Sequence, residues 1–259
     1  MNSYKPKHQF GQNFLVDSII TDQIITLACP KELDHFIEIG PGQGALTQYL
    51  VTMPIQLEAI EIDRDLAKTL NITYPKLTLH CQDALSIDYA SLYQDKKIRF
   101  IGNLPYNIAS ALIIRLFDYH EIIQDMLFMV QEEVAQRLIA QPNTKNYGRL
   151  ALITQFYCHA NYMLAVSPQA FDPMPKVNSA VVHLKPHGIT HSVDVQTFTY
   201  VVGIAFQKRR KIISNALGGL FSTTQISSLG IDPKYRPEQL SFDDYIQLSK
   251  LFMAQKESL

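Results

Sequence analysis

The sequence predicts an α/β fold built on a mostly parallel, doubly wound sheet, and two observations support it. Short apolar runs alternate with segments of helical periodicity through most of the chain. Four polar residues also follow the apolar runs at intervals of 21, 22 and 20 residues: Gly40, Glu61, Asp83 and Asn103. Because the carboxyl ends of parallel strands meet at one edge of a sheet, these four residues should line one crevice.

The helices of this region are predicted from apolar residues spaced three and four apart. The first follows a candidate cap at Asp17 and runs to Cys29, with Ile20, Ile24 and Ile25 on one face. Further helices are predicted at 45–52, from 65 onward, at 109–117 and at 132–140. Residues 150–157 fit either a helix or a strand.

The strands are predicted from short apolar and β-branched runs bounded by turn residues. They lie at 35–39, 56–62, 76–81, 97–101, 122–130 and 179–185. With helices between them, they give the repeated strand–helix unit of a parallel sheet.

A small all-helical domain is predicted after the sheet. Residues 187–194 are rich in Gly, Thr and Ser and read as a linker, and helical patterns follow at 198–205, 209–220 and 242–252. The predicted domains are therefore 1–187 and 188–259. Residues 1–188 hold 15 Lys/Arg against 18 Asp/Glu, whereas residues 189–259 hold 8 against 6.

Composition limits the classes of function. Apolar residues make up 47% of 259, and the net charge of −1 argues against a protein whose whole surface grips nucleic acid. Cys29, Cys81 and Cys158 are read as free, mostly buried thiols of a reducing compartment. No signal peptide, membrane span or metal-ligand spacing is visible, so we expect a soluble cytoplasmic protein without a metal.

The glycine-rich turn at 40–45 follows a strand and opens a helix, as expected of a cofactor-binding turn. Gly40, Gly42 and Ala45 also fit the GxGxxA fingerprint, so a dinucleotide remains an alternative on this motif alone. Glu61 can accept hydrogen bonds from the two hydroxyls of a ribose, and Asp83 from an adenine amino group. Asp63 and Asp65 read as surface acids.

The segment Asn103-Leu104-Pro105-Tyr106 carries the sharpest chemical signal. Pro105 has no N–H and keeps Leu104 extended, so the loop should present oxygen acceptors. The Asn103 side-chain oxygen and a backbone carbonyl can together accept from an exocyclic amine, whose lone pair is otherwise delocalised into its ring. Tyr106 can stack on the base.

Two further segments are candidate substrate contacts. Phe171 begins a proline-rich loop, 171–179, and could cover the other face of the target base. Lys208, Arg209, Arg210 and Lys211 form a basic cluster on an apparent helix, which suits phosphate binding. Lys5, Lys7 and His8 could add to that positive field.

On these motifs the chain resembles the class I S-adenosylmethionine-dependent methyltransferases, and more closely the small-subunit (16S) ribosomal RNA adenine-N6,N6-dimethyltransferase family. The matching segments follow in order along nearly the whole chain: 7–15, 36–47, 61–63, 82–84, 103–106, 131–135, 171–179 and 206–211. One departure is Ile212-Ile213-Ser214, where the family more often has a Thr-Leu-Arg type run and so one more cation.

The resemblance implies an S-adenosylmethionine cofactor, with Asn13 and Leu15 over its methionine end and Gly40 beneath it. It implies Glu61 on the ribose, Asp83 on the adenine, and Asn103 between the cofactor and the target amine. The implied substrate is a pair of adjacent adenosines in the 3′-terminal hairpin loop of small-subunit rRNA, in the 30S subunit or its precursor. We expect the enzyme to be monomeric.

Three rival functions stay open at this stage. A relative that methylates large-subunit rRNA and confers antibiotic resistance would use the same motifs. A non-catalytic RNA-binding assembly factor could retain the fold, although intact Glu61, Asp83 and Asn103 argue against a lost site. An NAD oxidoreductase rests on the GxGxxA pattern alone.

Overall fold

The structure is a computed structural model that describes residues 6–7 and 11–257. The chain divides into two compact units, one made of 1–135 with 159–186 and the other of 136–158 with 187–259. The second unit thus includes residues 136–158, which the predicted boundary at 187 had left with the sheet.

The described chain contains nine strands and ten α-helices. The strands are β1 (Phe14–Leu15), β2 (His35–Ile39), β3 (Gln56–Ile60), β4 (Thr78–His80), β5 (Ile98–Asn103), β6 (Ile123–Gln131), β7 (Cys158–Val166), β8 (Phe171–Asp172) and β9 (Ser179–Pro186). The helices are α1 (Ser18–Ala28), α2 (Thr47–Leu50), α3 (Arg64–Thr73), α4 (Ala109–Phe117), α5 (Glu132–Leu138), α6 (Arg149–Tyr157), α7 (Val195–Gln207), α8 (Ile213–Ala216), α9 (Thr223–Ser228) and α10 (Phe242–Glu257). Short 3₁₀ turns lie at Tyr89–Leu92, Pro168–Ala170 and Pro237–Gln239.

Seven strands form one sheet in the order β4-β3-β2-β5-β6-β9-β7, and β1 pairs with β8 in a separate two-stranded sheet. Strands β2 to β6 run parallel to one another, whereas β9 is antiparallel to β6. From β2 the chain proceeds outward to β3 and β4, and then returns to place β5 on the other side of β2. This reversal of strand order creates a crevice at the carboxyl ends of β2 and β5.

The central strands are buried although they carry charged residues such as Glu38 and Arg99, because these side chains are hydrogen-bonded and most of the other residues are apolar. All five residues of β2 are buried, as are the first five of β5. The two strands approach closely at Gly102, where an added Cβ would overlap the carbonyl oxygen of Ile39. Gly102 therefore permits the backbone spacing beside the crevice.

The predicted α/β class with a mostly parallel sheet is confirmed, and six strands lie where they are predicted. Strand β7 was not predicted. It lies at the edge of the sheet, and its exposed positions include the polar His159 and Asn161, so it lacks the continuous apolar run used to recognise the other strands. The ambiguous segment 150–157 is helical.

The regular secondary structure of the second unit is helical, except that Cys158 is the first residue of β7. Nearly every side chain of α6 is buried, and the Phe156 ring packs against Phe198 and Phe242 with ring centroids 4.9 Å and 6.4 Å apart. The predicted helix at 209–220 is wrong, because only Ile213–Ala216 is helical and residues 208–210 form a turn.

Two remaining expectations concern thiols and membranes. Cys29 and Cys81 are exposed and Cys158 is buried, so the prediction of mostly buried thiols is wrong, although all three are free. Among residues 6–7 and 11–257, no helix combines the length and apolar character that a bilayer crossing requires.

Candidate functional site

A cavity of about 320 Å³ opens at the carboxyl ends of β2 and β5, where the strand order reverses. Nine residues singled out from the sequence line it: Asn13, Leu15, Gly40, Gly42, Glu61, Asp83, Asn103, Leu104 and Tyr106. Its volume lies at the lower end of the range for small-molecule sites. Residues far apart in sequence therefore meet in one cavity, as the strand-end spacing predicts.

The glycine-rich turn forms the floor beside β2. Gly42 has a φ of +58°, and an added Cβ would lie 3.0 Å from the Phe14 ring, so a side chain here meets both strain and steric crowding. The Gly40 N–H donates to the carbonyl of Ile60 (2.9 Å), which fixes the turn to β3. At Gly40 and Gly42 the cavity is therefore lined by backbone that carries no side chain.

Glu61 is held at the end of β3 by two backbone donors. The Gly42 N–H donates to Oε2 (3.1 Å) and the Asp63 N–H to Oε1 (2.9 Å). Burial raises the pKa of Glu61, and these two hydrogen bonds act in the opposite direction. Because a carboxylate has about four acceptor positions, the oriented group can still accept from a ligand.

Glu38 also lines the cavity, and sequence reasoning did not single it out as a site residue. Its side chain is 2% exposed, and the Thr47 hydroxyl donates to its Oε2 (2.6 Å). Burial raises the pKa of Glu38 to about 7, with a further contribution from the charge of Glu61. A carboxyl group inside the apolar run His35–Ile39 was the available signal, since buried acids are rare without a partner.

Asp83 follows β4 and is half-buried at the cavity wall. Its Oδ1 accepts from the Leu85 N–H (2.9 Å), so it caps the following turn. The capping and ligand-binding readings are therefore compatible, because the carboxylate has further acceptor positions.

Asn103 ends β5, and its amide nitrogen donates to the backbone carbonyl of Asn13 (2.9 Å). This hydrogen bond assigns the nitrogen and leaves Oδ1 as the acceptor, with no donor to it among the described residues. Asn103 thus joins the segment at 11–15 to the edge of the sheet while keeping one acceptor for a ligand.

The backbone after Asn103 also presents an acceptor. The Leu104 N–H donates to the carbonyl of Met129 (3.0 Å), and the Pro105 carbonyl accepts from Ile108 and Ala109 at the start of α4. The Leu104 carbonyl has no donor among the described residues. It is therefore the backbone acceptor available beside the Asn103 side chain.

Tyr106 is half-buried, and its hydroxyl lies 2.6 Å from the Ser179 Oγ at the start of β9. Burial raises the pKa of Tyr106. Since Ser179 is fully buried, the hydrogen bond fixes the outer end of the tyrosine ring.

Phe171 and Asp63 are both more deeply buried than the sequence predicts. Phe171 does not line the cavity: its side chain is 4% exposed and belongs to the apolar core that includes its strand partner Leu15. The interpretation of Asp63 as a surface acid is wrong, since it is 1% exposed and caps α3, whereas Asp65 is exposed as predicted.

The predicted RNA-binding cluster lies in a turn between α7 and α8, in the second unit. Lys208, Arg210 and Lys211 are exposed. Arg209 instead pairs with Glu238 (2.6 Å) and donates to the carbonyl of Lys145 (2.7 Å). The cluster therefore presents three cations that form no ion pair with any side chain in the described part of the chain.

Of the three amino-terminal cations, Lys7 is the one among the described residues. Lys7 pairs with Asp63 and Asp65, and Lys5 and His8 lie outside the described residues. Within the part of the chain that the structure describes, no group of three or more His, Cys, Asp or Glu side chains is placed to hold a metal ion.

Comparison with known proteins gives one consistent result. The family profile for ribosomal RNA adenine dimethylase matches residues 3–254. Ribosomal RNA small subunit methyltransferase A of Yersinia pestis is 44% identical over 257 residues, covering 96% of this chain and 94% of that protein. Its counterpart from Marinobacter nauticus is 41% identical over 255 residues, with 96% and 92% covered.

Solved structures show a similar fold. A dimethyladenosine transferase from Plasmodium falciparum has a TM-score of 0.77 at 24% identity, covering 95% of this chain and 98% of that one. The 23S rRNA methyltransferase ErmE has a TM-score of 0.72 at 22% identity, covering 93% and 100%. At these identities the likeness concerns the fold alone.

Proposed function

This chain belongs to the ribosomal RNA adenine dimethylase family, and from that premise we propose the reaction that it catalyses. It transfers methyl groups from S-adenosylmethionine to the N6 amines of two adjacent adenosines in the 3′-terminal hairpin loop of 16S rRNA. It acts in the cytoplasm as a monomer on the 30S subunit or its precursor. Two acceptors in consecutive cavity-lining residues support the chemical part of this proposal: Asn103 Oδ1 and the Leu104 carbonyl, neither of which has a donor among the described residues.

The residues of the cavity fit S-adenosylmethionine. The turn at Gly40–Gly42 leaves room that a Cβ at Gly42 would fill, and the Glu61 carboxylate is oriented by backbone donors to accept ribose hydroxyls. Asp83 lines the cavity and would accept from the adenine amine, and Asn13 and Leu15 also line it. The bound cofactor supplies an electrophilic methyl group on a sulfonium.

The protein's task is to hold a weak nucleophile in one orientation. In the first transfer, Asn103 Oδ1 and the Leu104 carbonyl can accept the two N6 hydrogens, which turns the nitrogen lone pair out of conjugation with the ring; in the second transfer the one remaining hydrogen engages one of these acceptors. Tyr106, held by Ser179, offers its ring to the base. No strong general base is required, because the amine proton can leave after transfer.

Substrate binding uses a separate surface. We assign phosphate contacts to Lys208, Arg210 and Lys211, which are exposed. Arg209 supports the turn through Glu238. Phosphate contacts position RNA without reading its sequence, and bases in a hairpin loop cost less to unstack than those in a duplex. The proposed cover by Phe171 requires its ring to leave the apolar core.

Labelled-methyl transfer to purified unmodified ribosomal subunits tests the proposal. We expect N6,N6-dimethyladenosine in small subunits, identified by mass of the released nucleoside, and no label in large subunits. Label confined to large subunits would favour the resistance-type relative, and no label in either subunit would favour an assembly factor. S-adenosylhomocysteine should bind in calorimetry and NAD should not.

Replacing Glu61 with Gln should weaken cofactor binding about 10- to 100-fold, the range for losing a hydrogen bond to a charged group. The amide keeps the side-chain size, but its NH₂ must face either the Gly42 or the Asp63 N–H, which are both donors. The measurement is the dissociation constant for S-adenosylhomocysteine by calorimetry.

The exposed Glu121 provides the matched control, because Glu121→Gln makes the same chemical change outside the cavity lining. Equal affinities of the Glu61→Gln and Glu121→Gln variants for S-adenosylhomocysteine would show that Glu61 does not contribute to cofactor binding.

A further inference from the structure

The Lys7 ammonium lies between two carboxylates, although its side chain stays partly exposed. Its Nζ is 2.9 Å from Asp63 Oδ1 and 2.7 Å from Asp65 Oδ2. Its backbone N–H donates to Gln12 Oε1 (2.7 Å), and Gln12 Nε2 donates in turn to Asp63 Oδ2 (3.3 Å). Lys7 and Gln12 therefore reach the same carboxylate, at the start of α3.

Residues 11–15, here termed the strap, line the cavity along one side. Backbone hydrogen bonding holds the carboxyl-terminal end of the strap, because Leu15 pairs with Phe171 and the following Val16 N–H donates to Ala170 (2.8 Å). The middle is held where the carbonyl of Asn13 accepts from Asn103. At the amino-terminal end, the described contacts to the body of the unit include those of Lys7 and Gln12 with Asp63.

Asp63 connects these contacts to the cofactor site. Its own N–H donates to Glu61 Oε1, so its position and that of the proposed ribose acceptor are linked through one residue. The Asp63 carboxylate is 1% exposed, and a buried carboxylate needs positive charge or donors around it. Lys7 supplies that charge, while Asp65 N–H and Gln12 supply donors.

We propose that Lys7 is a positioning residue for cofactor binding: with Asp63 and Asp65 it forms a clamp that holds the strap over the cavity and slows release of the cofactor. The inference rests on the proposed function, since it takes the cavity to bind S-adenosylmethionine. It assigns Lys7 to the cofactor side of the reaction and removes it from the RNA-binding surface.

The test compares Lys7→Met with Lys7→Arg, which keeps the cation, and with Asp65→Asn, which removes the exposed half of the clamp. Lys68→Met is the matched control, because Lys68 is an exposed lysine on α3 and makes no described contact with the strap. The readouts are the dissociation rate of S-adenosylhomocysteine, followed by chase with S-adenosylmethionine, and steady-state methyl transfer to small subunits.

We expect Lys7→Met to release S-adenosylhomocysteine about three- to tenfold faster, as the loss of two ion pairs of a solvent-accessible lysine allows. KM for S-adenosylmethionine should rise by a similar factor, while kcat changes less. Lys7→Arg should restore most of the affinity, and adding Asp65→Asn to Lys7→Met should cause little further loss, because both changes break one clamp. High salt should reduce the difference in dissociation rate between Lys7→Met and the unaltered protein, because it screens the ion pairs.

The outcomes separate this inference from the proposed function. If the unaltered chain fails to bind S-adenosylhomocysteine, the proposed function is wrong. If it binds and Lys7→Met releases the ligand no faster than Lys68→Met, the clamp is wrong. A fall in RNA affinity with a shallower salt dependence, at unchanged KM for the cofactor, would also overturn it and return Lys7 to the RNA surface.

Discussion

Replacing Asn103 with Ala is expected to lower kcat for methyl transfer by about 10²- to 10³-fold, the loss seen when one preorganised polar contact to a transition state is removed. The Ala variant loses the Oδ1 acceptor at the cavity edge, so the target amine keeps its lone pair in conjugation. It also loses the hydrogen bond to the Asn13 carbonyl, and cofactor affinity should fall as well. Single-turnover rates at saturating cofactor separate the two effects.

Asn103→Asp distinguishes the two functions of the side chain. An aspartate keeps an acceptor oxygen, but it cannot donate to Asn13. We therefore expect weakened cofactor binding with part of the transfer rate retained. Asn161→Ala, at an exposed position of β7, is the matched control and should leave both properties unchanged. Turnover of Asn103→Ala within tenfold of the unaltered protein would contradict the assigned role.

Replacing Gly102 with Ala is expected to destabilise the protein by about 3 kcal/mol, the upper part of the range for overpacking a core. The added methyl would overlap the carbonyl oxygen of Ile39, which is backbone and cannot rotate away. Relief requires β2 and β5 to separate. Because Gly40 and Asn103 follow directly on these positions, the cavity should widen and cofactor binding should weaken with stability.

Gly203→Ala is the matched control for that change. Gly203 lies within α7, and an added Cβ there has nothing within 4 Å. In a helix this substitution should be neutral or stabilising by about 0.5–1 kcal/mol. Urea denaturation followed separately by far-UV circular dichroism and by ligand binding measures both variants. Equal unfolding midpoints for the two would show that the strands tolerate a side chain at 102.

The sheet was predictable wherever hydrophobicity alone determines the structure. The run His35–Ile39 has three apolar residues in five and is fully buried, and it forms the predicted strand residue for residue. Strand β7 was missed because an edge strand has one exposed side, where His159 and Asn161 interrupt the apolar pattern. The charged run at 208–211 was read as helical from its neighbours, whereas the chain turns there.

The site was predictable as far as the strand ends specify it. Gly40, Glu61, Asp83 and Asn103 meet because parallel strands bring their carboxyl ends together. Contacts between distant segments were not visible in the sequence: Lys7 reaches Asp63 across 56 residues, and Phe171 enters the core by pairing with Leu15. Such contacts depend on the folded path of the chain.

The second unit is built from two separate stretches of the chain, so one truncation cannot remove it whole. Helix α6 belongs to that unit but precedes β7 and β9, and its Phe156 is covered by residues that come after 187. A truncation at 187 would expose the apolar side chains of α6, and we expect the shortened protein to aggregate. Grafting the second unit of a relative onto this chain therefore needs three crossover points, one on each side of 136–158 and one before 187.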